Sequence, residues 1–331
     1  MSNPLKIAVF GGGSWATAIV KMLAENVEEV GWYMRSSYAI EYIKRNKHNP
    51  NYISSIEFNP NQLFLSDDIN EIVKYADYLI FAIPSAFLKD ELDKITESFE
   101  GKVIFSAIKG IVPESGLIVG EHFHKILKVP YENIGVITGP CHAEEVALER
   151  LSYLTLASLD DEKTKTLAQY LESDFIKIKI TDDIFGTEYA AVLKNIYAIA
   201  AGIAHGLGYG DNFQSVLMSN SIREMKRYIK KVHKMKRNIN DSAYLGDLLV
   251  TGYSIFSRNR MFGNMIGKGY AVKSAMMEMS MVAEGYYAAK CAFIINEKNQ
   301  ARTPILDTIY RILYEGKDPK SEFKELTNLL D

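Results

Sequence analysis

Short apolar runs recur along the first half of the chain, each followed by a segment of mixed apolar and polar positions. Residues 6–10, 30–34, 63–65, 78–83, 102–106, 134–138 and 154–158 read as strands. Tyr78-Leu79-Ile80-Phe81-Ala82-Ile83 is apolar without interruption, as in parallel sheets covered on both faces. Residues 175–180 alternate apolar and polar positions and predict a half-exposed edge strand. Helices are predicted from Ser14 onward and over 68–75, 88–98, 115–127 and 161–171, while the polar stretch 46–62 reads as a loop. This alternation predicts an α/β unit built on a doubly wound sheet.

From about Asp183 the texture changes. Residues 185–205 form one helical stretch crowded with Ala190, Ala191, Ala198, Ala200, Ala201, Gly202 and Ala204. Small residues let helices approach closely, so this stretch predicts the central helix of an all-α domain. Further helices are predicted over 213–231, 273–295, 303–314 and 319–330, giving domains 1–182 and 183–331. Glu284-Gly285 inside an otherwise good helix suggests close approach to a neighbour. The alanine-rich part of the central helix, 190–204, is interrupted by one charge, Lys194, followed by Asn195. A lysine on a packed helix costs several kcal/mol unless it is paired, wet or neutralised. A lysine snorkelling to the surface is the structural alternative.

Candidate chemistry begins at the end of the first strand. Gly11, Gly13 and Ala16 fit G-x-G-x-x-A between a strand and a helix, the dinucleotide fingerprint. Phosphates would then lie on the open N–H groups of the helix start. After the second strand, where an acid usually holds the ribose hydroxyls, the chain has Tyr33-Met34-Arg35-Ser36-Ser37. An arginine beside serines suits a 2′-phosphate and favours NADP over NAD; an arginine ending a strand in solvent is the alternative. Ligands of such sheets lie beyond the carboxyl ends of the strands. Pro84-Ser85, residues 107–110 and residues 139–145 occupy those places, and Lys109 is the only Lys or Arg among them. Ser257-Arg258-Asn259-Arg260 adds a dense cluster of donors for phosphate or carboxylate.

Composition narrows the field. The 331 residues are 47% hydrophobic and carry a net charge of -3, which implies no general attraction to nucleic acid or anionic lipid. Seven Lys/Arg residues between Lys226 and Arg237 therefore read as a solvated helix face. Two cysteines, Cys141 and Cys291, are too few for a disulfide framework and point to a reducing compartment. The N-terminus lacks the pattern of a secretory signal, and the longest apolar stretch, 276–295, is broken by Glu278, Glu284 and Lys290. A cytoplasmic protein without membrane insertion is expected. His122 and His124 have strand spacing and no cysteine partner, so no metal site is expected.

Seven segments occur in order: Gly11-Gly12-Gly13-Ser14-Trp15, Asn46 through Tyr52, residues 106–110, residues 139–145, Leu193-Lys194-Asn195, Gly246-Asp247-Leu248 and Ser257-Arg258-Asn259-Arg260. Together they resemble the bacterial-type NAD(P)-dependent glycerol-3-phosphate dehydrogenase family. The resemblance implies a Rossmann-type domain followed by an all-α domain like the C-terminal domain of 6-phosphogluconate dehydrogenase. It implies reversible reduction of dihydroxyacetone phosphate to sn-glycerol 3-phosphate for phospholipid synthesis, with a homodimer as one possible assembly. By the same resemblance Lys194 is the general acid/base. Lys109, Gly139, Cys141, Lys194, Asp247, Ser257, Arg258 and Asn259 match substrate positions. Ser14, Trp15, Arg35, Tyr52, Lys109, Ala143, Arg258, Val282 and Glu284 match cofactor positions, beside Gly11 and Gly13. Cys141 stands where the family usually has Ser or Thr, and a thiol is a weaker hydrogen-bond partner. The residues alone leave two alternatives: a sister oxidoreductase acting on a hydroxy acid, and a non-catalytic nucleotide module.

Overall fold

The computed structural model describes residues 4–279 and 283–331. The chain divides into two compact units, Met1–Ile108 with Val119–Ile184, and Lys109–Ile118 with Phe185–Asp331.

In the first unit, Ile7–Phe10 (β1) leads through the glycines to Ser14–Ala24 (α1), and Val30–Tyr33 (β2) to Ser37–Asn46 (α2). Leu63–Ser66 (β3), Ile69–Tyr75 (α3), Tyr78–Phe81 (β4), Ser85–Leu92 (α4) and Val103–Ser106 (β5) continue the alternation. Ile111–Val112 (β6) and Leu117–Ile118 (β7) pair as a hairpin that belongs to the second unit. The first unit resumes with Val119–Lys125 (α5), Ile134–Thr138 (β8), Ala143–Ala147 (α6), Ser152–Ser158 (β9), Asp161–Leu171 (α7) and Ile176–Thr181 (β10).

Its eight-stranded sheet has the order β3-β2-β1-β4-β5-β8-β9-β10. All neighbours are parallel except β8 and β9. The order reverses at β1, which is flanked by β2 and β4, so the glycine turn lies at the switch point where such sheets bind ligands. The apolar segments form fully buried strands because the sheet is covered; β1, β2, β4 and β5 are buried at every position. β10 is an edge, as its alternation predicts. Residues 139–151, with the short α6, join β8 to β9, which returns antiparallel beside it.

The second unit has Ile184–Gly206 (α8) at its centre, buried through residues 187–204. Around it are Asp211–Val232 (α9), Asp247–Tyr253 (α10), Arg258–Gly267 (α11), Val272–Glu278 (α12), Glu284–Asn299 (α13), Pro304–Tyr314 (α14) and Pro319–Thr327 (α15). A side-chain carbon at Gly202 or Gly206 of α8 would strike the backbone of α11, and one at Gly263 or Gly267 would strike α8. The two helices are thus in near-backbone contact, which only small residues permit.

Three predicted helices differ. The one predicted over 88–98 is Ser85–Leu92, because Asn70 donates to the Lys94 carbonyl and accepts the N–H groups of Thr96 and Glu97. Residues 115–116 turn rather than coil, because Pro113 and Gly116 (φ 65°) close the β6–β7 hairpin, and the helix begins at Val119. The single helix predicted over 273–295 is instead α12 and α13, so Glu284 and Gly285 begin a helix rather than interrupt one.

One buried acid ties this unit together. Glu224 of α9 is fully buried and accepts the N–H groups of Ile305 (2.8 Å) and Leu306 (2.9 Å) at the start of α14. It serves the orphan donors that a local cap would otherwise satisfy. Burial pushes its carboxyl up from 4.5 to about 8, against the pull of those two hydrogen bonds. As pH rises from 4.5 the unfolded chain ionises first, so this group's contribution to stability is present below 4.5 and lost by about 8. Thermal melts between pH 5 and 8 should therefore fall less steeply in Glu224→Gln than in the wild type. Parallel pH profiles would assign the effect elsewhere.

Candidate active site

The first unit carries a cradle suited to a diphosphate. β1 runs into Gly11, whose φ is 129° and where a Cβ would lie 2.6 Å from the Ala82 carbonyl oxygen, so only glycine fits. Gly13 is the N-cap of α1; no side chain caps the helix and no acid lies in its first turn. A Cβ at Gly13 would meet nothing within 4 Å, which leaves the approach to the helix start open. Ala16 is fully buried, keeping helix and strand close. An uncapped, acid-free helix start behind an open glycine fits the phosphates of a dinucleotide. Ser14 and Trp15 are the first residues of that helix.

Arg35 is exposed just after β2. The neighbouring serines are engaged: Ser36 caps α2 by accepting the Ala39 N–H at 3.2 Å, and the Ser37 hydroxyl donates to the Asp67 carboxylate. Tyr52 donates its backbone N–H to Asn49 Oδ1 at 3.2 Å. Ala143 opens α6 and is buried. Gly139 follows β8 with φ 118°, and the Cys141 thiol donates to the Tyr153 carbonyl of β9 at 3.2 Å.

The second unit carries the ionisable cluster. A π-helical turn, Ser242–Gly246, delivers Asp247 to the start of α10, and such turns often mark functional sites. The Asp247 carboxylate is 1% exposed; Oδ1 accepts from Lys194 Nζ, and Oδ2 lies 3.5 Å from Lys109 Nζ. Lys194 is 4% exposed, so it does not snorkel to the surface. Asn195 Nδ2 donates to the Lys109 carbonyl at 2.8 Å, and the Thr251 hydroxyl to the Asp247 carbonyl at 2.6 Å. Lys109, expected beyond a strand of the first sheet, thus belongs with the helices. Burial lowers the Lys194 ammonium to about 7; the Asp247 charge opposes this and Lys109 adds to it.

The donor cluster is adjacent through α11 and α13. Ser257 caps α11 by accepting the Arg260 N–H at 3.3 Å, and Arg258 is the first helical residue. Asn259 Oδ1 accepts the Gly285 N–H at 2.9 Å, which makes Nδ2 the donor end of that side chain. A Cβ on Gly285 would lie 2.6 Å from the Asn195 carbonyl oxygen. Close approach at Gly285 thus joins Asn259 to the residue after Lys194. Glu284 begins α13; Val282 lies outside the described residues. Asn195, Thr251 and Asn49 were not singled out as site residues. Only Asn195 had a signal, its place beside Lys194.

A Rossmann-type sheet with a diphosphate cradle, followed by helices around a buried lysine, defines a two-unit dehydrogenase class. The model for the NAD-dependent glycerol-3-phosphate dehydrogenase N-terminus matches residues 6–164, and that for its C-terminus matches residues 183–324. The chain belongs to this family. It is 34% identical over 325 residues to glycerol-3-phosphate dehydrogenase [NAD(P)+] of Oceanobacillus iheyensis, covering 98% of this chain and 94% of that one. To the same enzyme of Macrococcus caseolyticus it is 34% identical over 330 residues, covering 98% of both. The crystal structure of glycerol-3-phosphate dehydrogenase from Coxiella burnetii is similar at 27% identity, TM-score 0.89 and 98% coverage of both chains.

Proposed function

We propose that this chain reduces dihydroxyacetone phosphate reversibly to sn-glycerol 3-phosphate with NAD(P)H, supplying glycerophospholipid synthesis. The reading rests above all on Lys194, a buried ammonium brought down to about 7 and held by Asp247 beside a second lysine. A bound reduced dinucleotide supplies a hydride to the ketone carbon. Lys194 Nζ gives its proton to the carbonyl oxygen as charge develops there, which a group titrating near neutrality does efficiently. Asp247 orients the ammonium, and Lys109 favours its loss of a proton. Arg258, Asn259 and Ser257 take the remote phosphate and so fix the reacting carbon. The glycine turn for the dinucleotide lies in the domain 1–182, and Lys194 with the phosphate-binding cluster in the domain 183–331. Gly139 and Cys141 contact substrate in this reading, and Ser14, Trp15, Tyr52, Ala143 and Glu284 contact cofactor. The deciding assay is NADPH oxidation with dihydroxyacetone phosphate, run beside a panel of 2-oxo acids. Turnover of the oxo acids alone would reassign the substrate.

Among the described residues no helix is long and apolar enough to cross a membrane. For the cofactor, exposed Arg35 favours NADP through its charge on a 2′-phosphate. One observation favours NAD: the Asp67 carboxylate, held by Ser37, places an acid near the same strand end. The wild type should show a lower KM for NADPH than for NADH, and Arg35→Asp should invert that order. Unchanged selectivity in Arg35→Asp would move the discrimination to Asp67.

A further inference from the structure

The glycine turn of the first unit is held from behind by three side chains, none of them among the expected cofactor contacts. The indole N–H of Trp32 donates to the Gly11 carbonyl at 2.7 Å. Asn49 Nδ2 donates to the Gly12 carbonyl at 3.1 Å. The Thr17 hydroxyl donates to the Gly13 carbonyl at 2.9 Å, beside Thr17's own backbone N–H. Trp32 and Thr17 are fully buried and Asn49 is 1% exposed. Three successive carbonyls are therefore pinned toward the interior.

Asn49 is the hub. Its Nδ2 also donates to the Thr17 hydroxyl at 2.9 Å, and its Oδ1 accepts the backbone N–H groups of Asn51 (3.0 Å) and Tyr52 (3.2 Å). Both donors and both acceptor positions of the amide are used, so its orientation is determined. In a planar trans peptide the carbonyl of one residue and the N–H of the next point in opposite directions. Pinning the carbonyls of Gly11, Gly12 and Gly13 thus turns the N–H groups of Gly12, Gly13 and Ser14 the other way. A carbonyl turned outward would repel a diphosphate; an N–H attracts it.

We propose that Asn49, Thr17 and Trp32 are positioning residues that make the glycine turn present N–H groups to the cofactor diphosphate, with Asn49 tying the Tyr52 segment to the same turn. This rests on the dinucleotide reading above. The effect falls on anion affinity rather than on the chemical step.

Thr17→Val is nearly isosteric and removes the hydroxyl; Thr17→Ser keeps it. Asn49→Asp replaces a donor by an oxygen facing the Gly12 carbonyl. Ligand-free protein is titrated calorimetrically with ADP-ribose, which carries the diphosphate without nicotinamide, and KM for NADPH is measured beside kcat. Thr17→Val and Asn49→Asp should bind ADP-ribose about 10-fold more weakly, the scale of one or two lost hydrogen bonds, with Thr17→Ser within about 2-fold of wild type. KM for NADPH should rise in parallel while kcat holds. Wild-type affinity in Thr17→Val, or equal loss in Thr17→Ser and Thr17→Val, overturns the proposal even if Asn49→Asp fails to fold. A wild type that binds neither ADP-ribose nor NADPH overturns the dinucleotide reading itself, and the two failures are thereby distinct.

Discussion

Replacing Lys194 by methionine should lower turnover of dihydroxyacetone phosphate by about 10²-fold or more, the lower end for a positioned acid or base. NADPH affinity should hold, because the diphosphate cradle is built from other residues. Stability is a separate matter. Lys194→Met leaves the Asp247 carboxylate buried with Lys109 Nζ at 3.5 Å, and a buried charge deprived of its partner is costly. The double variant Lys194→Met/Asp247→Asn removes both charges. It should recover the melting temperature without recovering turnover. Lys194→Arg should stay inactive, since a guanidinium keeps its proton. The wild-type pH profile supplies a further check. With the ammonium near 7, kcat for reduction should fall as pH rises above 7, and kcat for oxidation should fall as pH drops below it. An active Lys194→Arg enzyme would end the acid/base assignment.

Arg258→Ala should lower kcat/KM for dihydroxyacetone phosphate by a factor equivalent to about 2–4 kcal/mol, through loss of a charge-assisted pair with the phosphate. The fold should survive, because the cap of α11 is made by Ser257 and the packing against α8 by Gly263 and Gly267. Unphosphorylated dihydroxyacetone should be a very poor substrate for the wild type and no worse for the variant. Kinetics on both ketones for both proteins measures this. Equal use of the two ketones by the wild type would remove the phosphate from the recognition scheme.

Much of the fold was legible along the chain because its causes are local. A short all-apolar run closed by Pro84, such as Tyr78–Phe81, reads as a covered strand, and the small residues of α8 announce close helix packing. Gly11 and Gly13 stand out because a positive φ and an open helix start each require the absence of a side chain. The β6–β7 hairpin and the break between α12 and α13 were less legible. At the hairpin a helical pattern of apolar residues competes with Pro113 and Gly116, and the β6–β7 pairing decides between them; the end of α12 at Glu278 is marked by no such turn residue.

The candidate site divides along the same line. The order of residues by itself determined the glycine turn, the lysine within the alanine-rich stretch 190–204 and the donor cluster at 257–260, since each is an anomaly against its immediate neighbours. Only the tertiary structure decided that Lys194 meets an aspartate 53 positions away and that Asn195 holds the carbonyl of Lys109, 86 positions away. Asn49 and Glu224 look like solvated polar residues in one dimension. They are buried because distant backbone groups lacked partners, the carbonyl of Gly12 and the N–H groups of Ile305 and Leu306. An unpaired backbone group inside a protein is costly, and which side chain satisfies it is settled by packing across the chain.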